Sequence, residues 1–165
     1  MKEKKNIAVY PGTFDPPTYG HLDIIKRASS IFDKVIISIS ADSVKNTTFS
    51  IKEREEMLRV ITRELKNVEV TSFKGLLVNF LKNKKSRIII RGLRAVSDFE
   101  YEFQMALTNR KLNPEIDTIF LMPGEEFFYI SSSLVKEIAN LGGSIEKFVP
   151  FVVEKALREK LEKAR

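Results

Sequence analysis

Residues 7–21 read IAVYPGTFDPPTYGH, and the fold can be read outward from them. Ile7-Ala8-Val9-Tyr10 is a short apolar run of strand type. Gly12 to His21 is a loop holding two glycines, two prolines, two threonines and a histidine, the only one in 165 residues. From Leu22 onward, Leu22, Ile25, Ala28 and Phe32 recur at helical spacing. A strand, a turn-rich loop and a helix in that order put the loop beside a helix N-terminus. Free N–H groups and the helix dipole there favour an anion. Gly20 would let the backbone come close to such a ligand, and His21 could donate to a phosphoryl oxygen. A lone histidine is more often structural or merely exposed. Its place in this loop is what argues for use. Asp15 reads better as a brace of the loop backbone than as a metal ligand.

The same alternation continues through the chain. Val35–Ile39 is a second strand, nearly all apolar, as a strand covered on both faces requires. Ser50 and Glu53 form a capping-box pattern opening a helix with Leu58, Ile61 and Leu65 inward. Val68–Phe73 is the third strand, followed by a short helix marked by Leu77, Phe80 and Leu81. Arg87–Arg91 is the fourth, centred on three isoleucines. Asp98 is placed to cap the next helix, whose spacing turns Phe99, Phe103, Ala106 and Leu107 inward. Thr118–Leu121 is the fifth strand. A helix from about Ser132 buries Leu134, Ile138 and Leu141 and stops at Gly142-Gly143. Val153, Leu157, Leu161 and Ala164 stripe a last helix. The pattern implies one α/β domain over residues 1–165, a doubly wound, five-stranded parallel sheet with helices on both faces. Ligands of such sheets bind beyond the carboxyl ends of the strands.

Composition narrows the function. The chain has no cysteine, which excludes disulfides, thiol chemistry and cysteine-based metal sites. No apolar run approaches the roughly 18 residues that span a bilayer. The start, MKEKKN, lacks the apolar region of a signal peptide, so the expectation is a cytoplasmic protein with no membrane partner. The net charge of +6 raises the question of nucleic acid, but residues 1–5 and 154–165 carry four of the six excess charges. Solvated ends explain that better than a nucleic-acid-reading face.

The motifs resemble those of a known superfamily. Thr18-Tyr19-Gly20-His21 is similar to the T/H-x-G-H signature of the nucleotidyltransferases, and Ile130-Ser131-Ser132-Ser133 to their I-S-S-S/T element. Arg91 to Glu102, RGLRAVSDFEYE, is similar to a segment of the phosphopantetheine adenylyltransferases of coenzyme A synthesis. The resemblance covers the whole chain in order and implies a Rossmann-like nucleotidyltransferase fold. It implies transfer of the adenylyl group of ATP to 4′-phosphopantetheine, giving dephospho-coenzyme A and pyrophosphate. It further implies Mg2+ held mainly by substrate phosphates, coenzyme A as feedback inhibitor, and a homohexamer.

Residue by residue, the resemblance makes His21 the transition-state stabiliser and sets Lys45 and Arg91 on the incoming phosphate. Thr13 touches both substrates, and Leu77 lines the pantetheine side. Phe14, Gly92, Leu93, Arg94 and Glu102 join His21 at ATP, with Phe127, Phe128, Tyr129, Ile130, Ser131, Ser132 and Ser133 wrapping the nucleotide. Relatives often carry a basic residue where Asn46 stands and a tryptophan where Phe127 stands. Lys136 is a further candidate for phosphate. Each has a plainer reading: Lys45 and Glu102 as solvated charges, Leu77 as core, one serine as a helix cap. Arg91 and Arg94 have little structural reason to end an isoleucine strand, and guanidinium matches phosphate well. Rival readings are a superfamily member acting on nicotinate mononucleotide, a flavin or a sugar phosphate, and a non-catalytic nucleotide- or RNA-binding module.

Overall fold

The computed structural model describes residues 6–42, 46–94 and 96–163. Five strands form one parallel sheet: β1 (Ile7–Gly12), β2 (Lys34–Ser40), β3 (Val68–Phe73), β4 (Ile88–Gly92) and β5 (Asp117–Leu121). The order across the sheet is β3-β2-β1-β4-β5. The chain winds outward from β1 to β3, then crosses back to lay β4 on the other side of β1. The ends of β1 and β4 therefore diverge, and that is where such a sheet opens a crevice.

Helices α1 (Tyr19–Ile31), α2 (Ile51–Thr62), α3 (Leu77–Asn83), α4 (Val96–Leu112), α5 (Ser132–Asn140) and α6 (Phe151–Glu162) complete the described fold with a 3-10 turn at Glu125–Phe127. Alternation along the strands divides the core. Ala8, Tyr10, Val35, Ile37, Ile39 and Ile90 pack with Ile24, Ile25 and Ala28 of α1 and Leu58 of α2. Val9, Ile36 and Ile89 pack on the other face with Val78 and Leu81 of α3. A third cluster joins Phe49 and Met57 to Val135, Ala139, Val153 and Leu157 of α5 and α6. Val35 to Ile39 are all buried, as an apolar strand in mid-sheet should be.

Helix starts and stops follow local chemistry. Thr18 caps α1, and Ser50 with Glu53 makes the reciprocal box at α2: Ser50 N–H donates to Glu53 at 2.7 Å and Glu53 N–H to Ser50 Oγ at 3.3 Å. At the end of α5, Gly142 takes φ of 81°, which a glycine adopts freely and a residue with Cβ only at a cost.

Three expectations fail. Asp98 sits inside the first turn of α4, two residues past its start, where its carboxylate meets Arg94 Nε at 3.5 Å. Phe99, Phe103 and Leu107 do not face inward: they are 44, 49 and 50% exposed, and Ala106 lines the cleft described below. In α5 the buried positions are Val135 and Ala139, while Leu141 is 82% exposed just past the helix end. Helical spacing identifies a stripe, but the neighbours available decide which stripe is covered. Val153 and Leu157 of α6 are buried as expected; Ala164 lies outside the described residues.

Candidate active site

A cleft of about 920 Å³ lies at the carboxyl ends of β1 and β4 and runs over both faces of the sheet. Its first wall is the loop from Gly12 to His21. Phe14 is buried at 2% exposure with φ of 51°, a conformation that only strong surroundings impose on an aromatic residue. Its ring packs edge-on against Tyr10 at 5.3 Å and His21 at 5.0 Å. Gly12 makes room for that ring: a Cβ there would come 2.8 Å from it. Gly20 has space for a Cβ on the protein side, so packing does not demand glycine there.

His21 plays an unusual part at the start of α1. It occupies the position where a capping box ordinarily has Glu or Gln. Thr18 N–H donates to His21 Nδ1 at 3.0 Å, and His21 N–H donates to Thr18 Oγ1 at 3.3 Å. An imidazole nitrogen that accepts carries no proton, so the neutral ring keeps its hydrogen on Nε2. Burial, with the charges of Arg94 and Arg91 nearby, holds the His21 pKa down to about 4. At neutral pH the cleft therefore faces a neutral imidazole whose remaining hydrogen-bonding function is that of a donor.

The second wall carries the arginines. Arg91, at the end of β4, donates from Nε and Nη2 to the two oxygens of Glu102 at 2.7 and 2.5 Å and from Nη1 to the carbonyl of Pro11 at 2.8 Å. Three of its five N–H groups are thus spent on orientation, leaving two for the cleft. Arg94 donates to the carbonyl of Ile130 at 3.0 Å, linking this wall to the segment before α5. There Ser131 caps α5, accepting from Leu134 N–H at 3.1 Å, and Ser132 Oγ donates to the carbonyl of Pro16 at 2.8 Å. Ser133 is exposed. One serine of the three is the cap and a second ties the walls together.

The structure brings together most residues singled out from sequence. Thr13, Phe14, His21 and Leu77 line the cleft, as do Arg91, Gly92, Arg94 and Glu102. Ile130, Ser131, Ser132, Ser133 and Lys136 line it from the α5 side. Leu93, Phe127, Phe128 and Tyr129 are not among its walls. Phe127 packs with Tyr19 at 6.3 Å between ring centres, and Tyr129 meets Phe148 edge-on at 6.2 Å. Lys45 lies outside the described residues. Lys136 directs its ammonium to Asp15 Oδ2 at 2.9 Å, and Asp15 also accepts from Thr48 and Phe49 N–H, each at 2.9 Å. Asp15 is thus the brace that its loop position suggested.

Sequence reasoning missed Met105, Ala106 and Asn109, which line the limb of the cleft beneath α4. The signal was available: they follow Glu102 by three, four and seven residues and so share its helical face. It also missed Arg54, which looks like a surface charge early in α2 and is only 3% exposed. No short-range pattern marks that burial.

A parallel sheet opening between β1 and β4 thus brings two helix starts, paired arginines and a neutral donor histidine to one cleft, a set suited to phosphate groups. A family model described as cytidylyltransferase-like matches residues 9–138. The chain is 54% identical over 158 residues to phosphopantetheine adenylyltransferase of Caldanaerobacter subterraneus subsp. tengcongensis, covering 96% of this chain and 99% of that protein. It is 56% identical over 156 residues to the protein of that name in Thermodesulfovibrio yellowstonii (94% and 97% covered). To that of Clostridium tetani it is 57% identical over 145 residues (88% and 91%). The chain belongs to the phosphopantetheine adenylyltransferase family. A nicotinic acid mononucleotide adenylyltransferase of Plasmodium falciparum, solved with NaAD, shares the fold at a TM-score of 0.71 and 16% identity, with 98% of this chain and 96% of that one covered.

Proposed function

We propose that this cleft transfers the adenylyl group of ATP to 4′-phosphopantetheine by in-line displacement at the α-phosphorus, releasing dephospho-coenzyme A and pyrophosphate. The nucleophile is a phosphate oxygen, anionic already, so no general base is needed. The observation that carries the mechanism is His21: Nδ1 is occupied by Thr18 N–H and the pKa stands near 4, so the ring serves as a fixed donor and not as a base. Preorganised donors of this kind stabilise charge where it develops in the transition state. Arg91, its direction set by Glu102 and Pro11, and Lys45, assigned by resemblance, hold the incoming phosphate. Thr13 lies between the two substrates. Arg94 with the first turn of α5 holds the leaving pyrophosphate. Leu77, Met105, Ala106 and Asn109 give the pantetheine arm its limb under α4. Phe127, Phe128 and Tyr129 are proposed to approach the nucleotide only when it is bound.

Magnesium fits as a passenger of the substrate phosphates. Among the described residues no group of three or more His, Cys, Asp or Glu converges, and Asp15 is already engaged by two N–H groups and Lys136. Bound there, the ion would neutralise phosphate charge with water completing its shell. Coenzyme A shares the pantetheine arm and would inhibit by competing for that limb. The exposed apolar stripe of α4, with Ile119 and Met122 beside it, supports assembly of copies into a homohexamer. No described helix is long and apolar enough to cross a membrane. A cytoplasmic enzyme with small-molecule substrates fits this reading.

The test is a substrate panel with ATP and magnesium, followed by chromatography for the product. Dephospho-coenzyme A from phosphopantetheine is the expected outcome. Turnover of nicotinate mononucleotide with none of phosphopantetheine overturns the assignment.

A further inference from the structure

Arg54 has no share in the cleft wall, yet among the described residues it is the most completely buried cation, at 3% exposure. It stands at the start of α2, where the Ser50–Glu53 box already caps the helix, so capping does not call for it. Its Nε donates to the carbonyls of Phe49 and Ser50 at 3.0 and 3.3 Å, and Nη1 donates to the carbonyl of Thr13 at 2.8 Å. Removing a guanidinium from water is costly, and here the partners are neutral carbonyls. Burial lowers its pKa and the charge of Asp15 offsets part of that. An apolar side chain of similar volume would satisfy packing at lower cost. What the guanidinium adds is direction, because its donors leave in a fixed planar fork.

The direction concerns one turn. Asp15 grips residues 48 and 49 by their N–H groups while Arg54 grips residues 49 and 50 by their carbonyls. Arg54 also holds the carbonyl of Thr13, next to Phe14 with its φ of 51°. A left-handed aromatic residue persists only where its surroundings over-determine it. We infer that Arg54 is a positioning residue, acting through the Thr13 carbonyl to fix the Gly12–Asp15 turn and with it the Phe14 ring on which His21 rests. This rests on the reading of the cleft as an adenylyl-transfer site, and extends it to a residue that touches neither substrate.

The test compares Arg54→Met and Arg54→Lys with the wild type. Arg54→Met is expected to lower kcat about tenfold or more, as small misplacements of a reacting group do, while KM for ATP changes less than about threefold. Arg54→Lys, retaining the charge without the fork, falls between. A second readout needs no turnover. His21 is the only histidine, and the Phe14 ring lies 5.0 Å from it at 67°, so displacement of the turn moves the ring-proton signal of the one imidazole in NMR. Turnover within twofold of wild type, or an unmoved imidazole signal, overturns the proposal. If Arg54→Met does not fold, the lysine variant is judged by the same two criteria. A wild type that forms no dephospho-coenzyme A defeats the reading of the cleft instead, and the imidazole signal still decides the role of Arg54.

Discussion

Helix α1 turns Leu22, Ile25 and Ala28 into the core and leaves Lys26 and Arg27 exposed, whereas α4 turns Glu102 and Asn109 inward and leaves Phe99, Phe103 and Leu107 outside. Both helices flank the cleft, and both carry apolar residues at helical spacing. The difference lies in what each packs against. α1 lies across the middle of the sheet, where Tyr10, Ile37 and Ile90 offer an apolar bed. α4 lies over the edge beside β5, where the half-buried Arg91 must be matched by a carboxylate, so a polar stripe faces the protein. An amphipathic helix tells which residues share a face; the electrostatics of the neighbour tells which face goes in.

The comparison breaks first at His21, the side chain of α1 proposed to stabilise the transition state. His21→Ala should lower kcat by about a hundredfold or more through loss of one preorganised donor, with the sheet unchanged by circular dichroism. Near-normal turnover in the purified variant would remove the residue from its role. On α4 the corresponding change is Glu102→Gln, which frees Arg91 from its two charge-assisted bonds. Here kcat/KM for phosphopantetheine should drop about tenfold, near 1.4 kcal/mol, with a smaller effect on ATP. Equal losses for both substrates would show that Glu102 serves the nucleotide directly.

The outward face of α4 supplies the next test. Phe103→Glu should reduce the particle mass by light scattering, because a buried aromatic contributes about 1.5–3 kcal/mol and a buried unpaired carboxylate opposes it. Unchanged mass would remove this face of α4 from the proposed homohexamer. The smallest effect concerns protonation. With one histidine, NMR follows His21 directly, and no titration should appear from pH 8 to 5, the midpoint lying at about 4. Because the folded value lies below the ordinary 6.5, the unfolded chain takes up a proton that the folded chain refuses. The contribution of His21 to stability is therefore complete above about pH 6.5 and is lost as pH falls toward 4. Arg94→Met should raise that midpoint slightly, since one repelling charge is removed while burial, the larger cause, remains.

Much of this was legible from short-range pattern. The five strands, the Ser50–Glu53 box and the glycine stop after α5 rest on interactions within a few residues or on alternation along a strand, whereas the partners that Asp15 braces stand more than thirty residues away. His21, Arg91 and the serine cluster stood out because loops at strand ends have little reason to hold such groups for packing. The inward face of α4 did not, because Glu102 has the same sequence signature whether it meets solvent or Arg91. Arg54 was silent for a similar reason: its three carbonyl partners come from two segments, one of them forty-one residues away.

By itself the sequence determined the alternation of strands and helices, the helix ends and the loops that carry chemistry, since propensity, capping and periodicity act locally. Only the tertiary structure decided that β4 lies beside β1, that Arg94 and Arg91 stand close enough to His21 to help hold its pKa down, and that Glu102 and Arg54 are buried to steer other groups. Those outcomes depend on hydrogen-bond geometry and on the removal of water from charges, which exist only once distant segments have met.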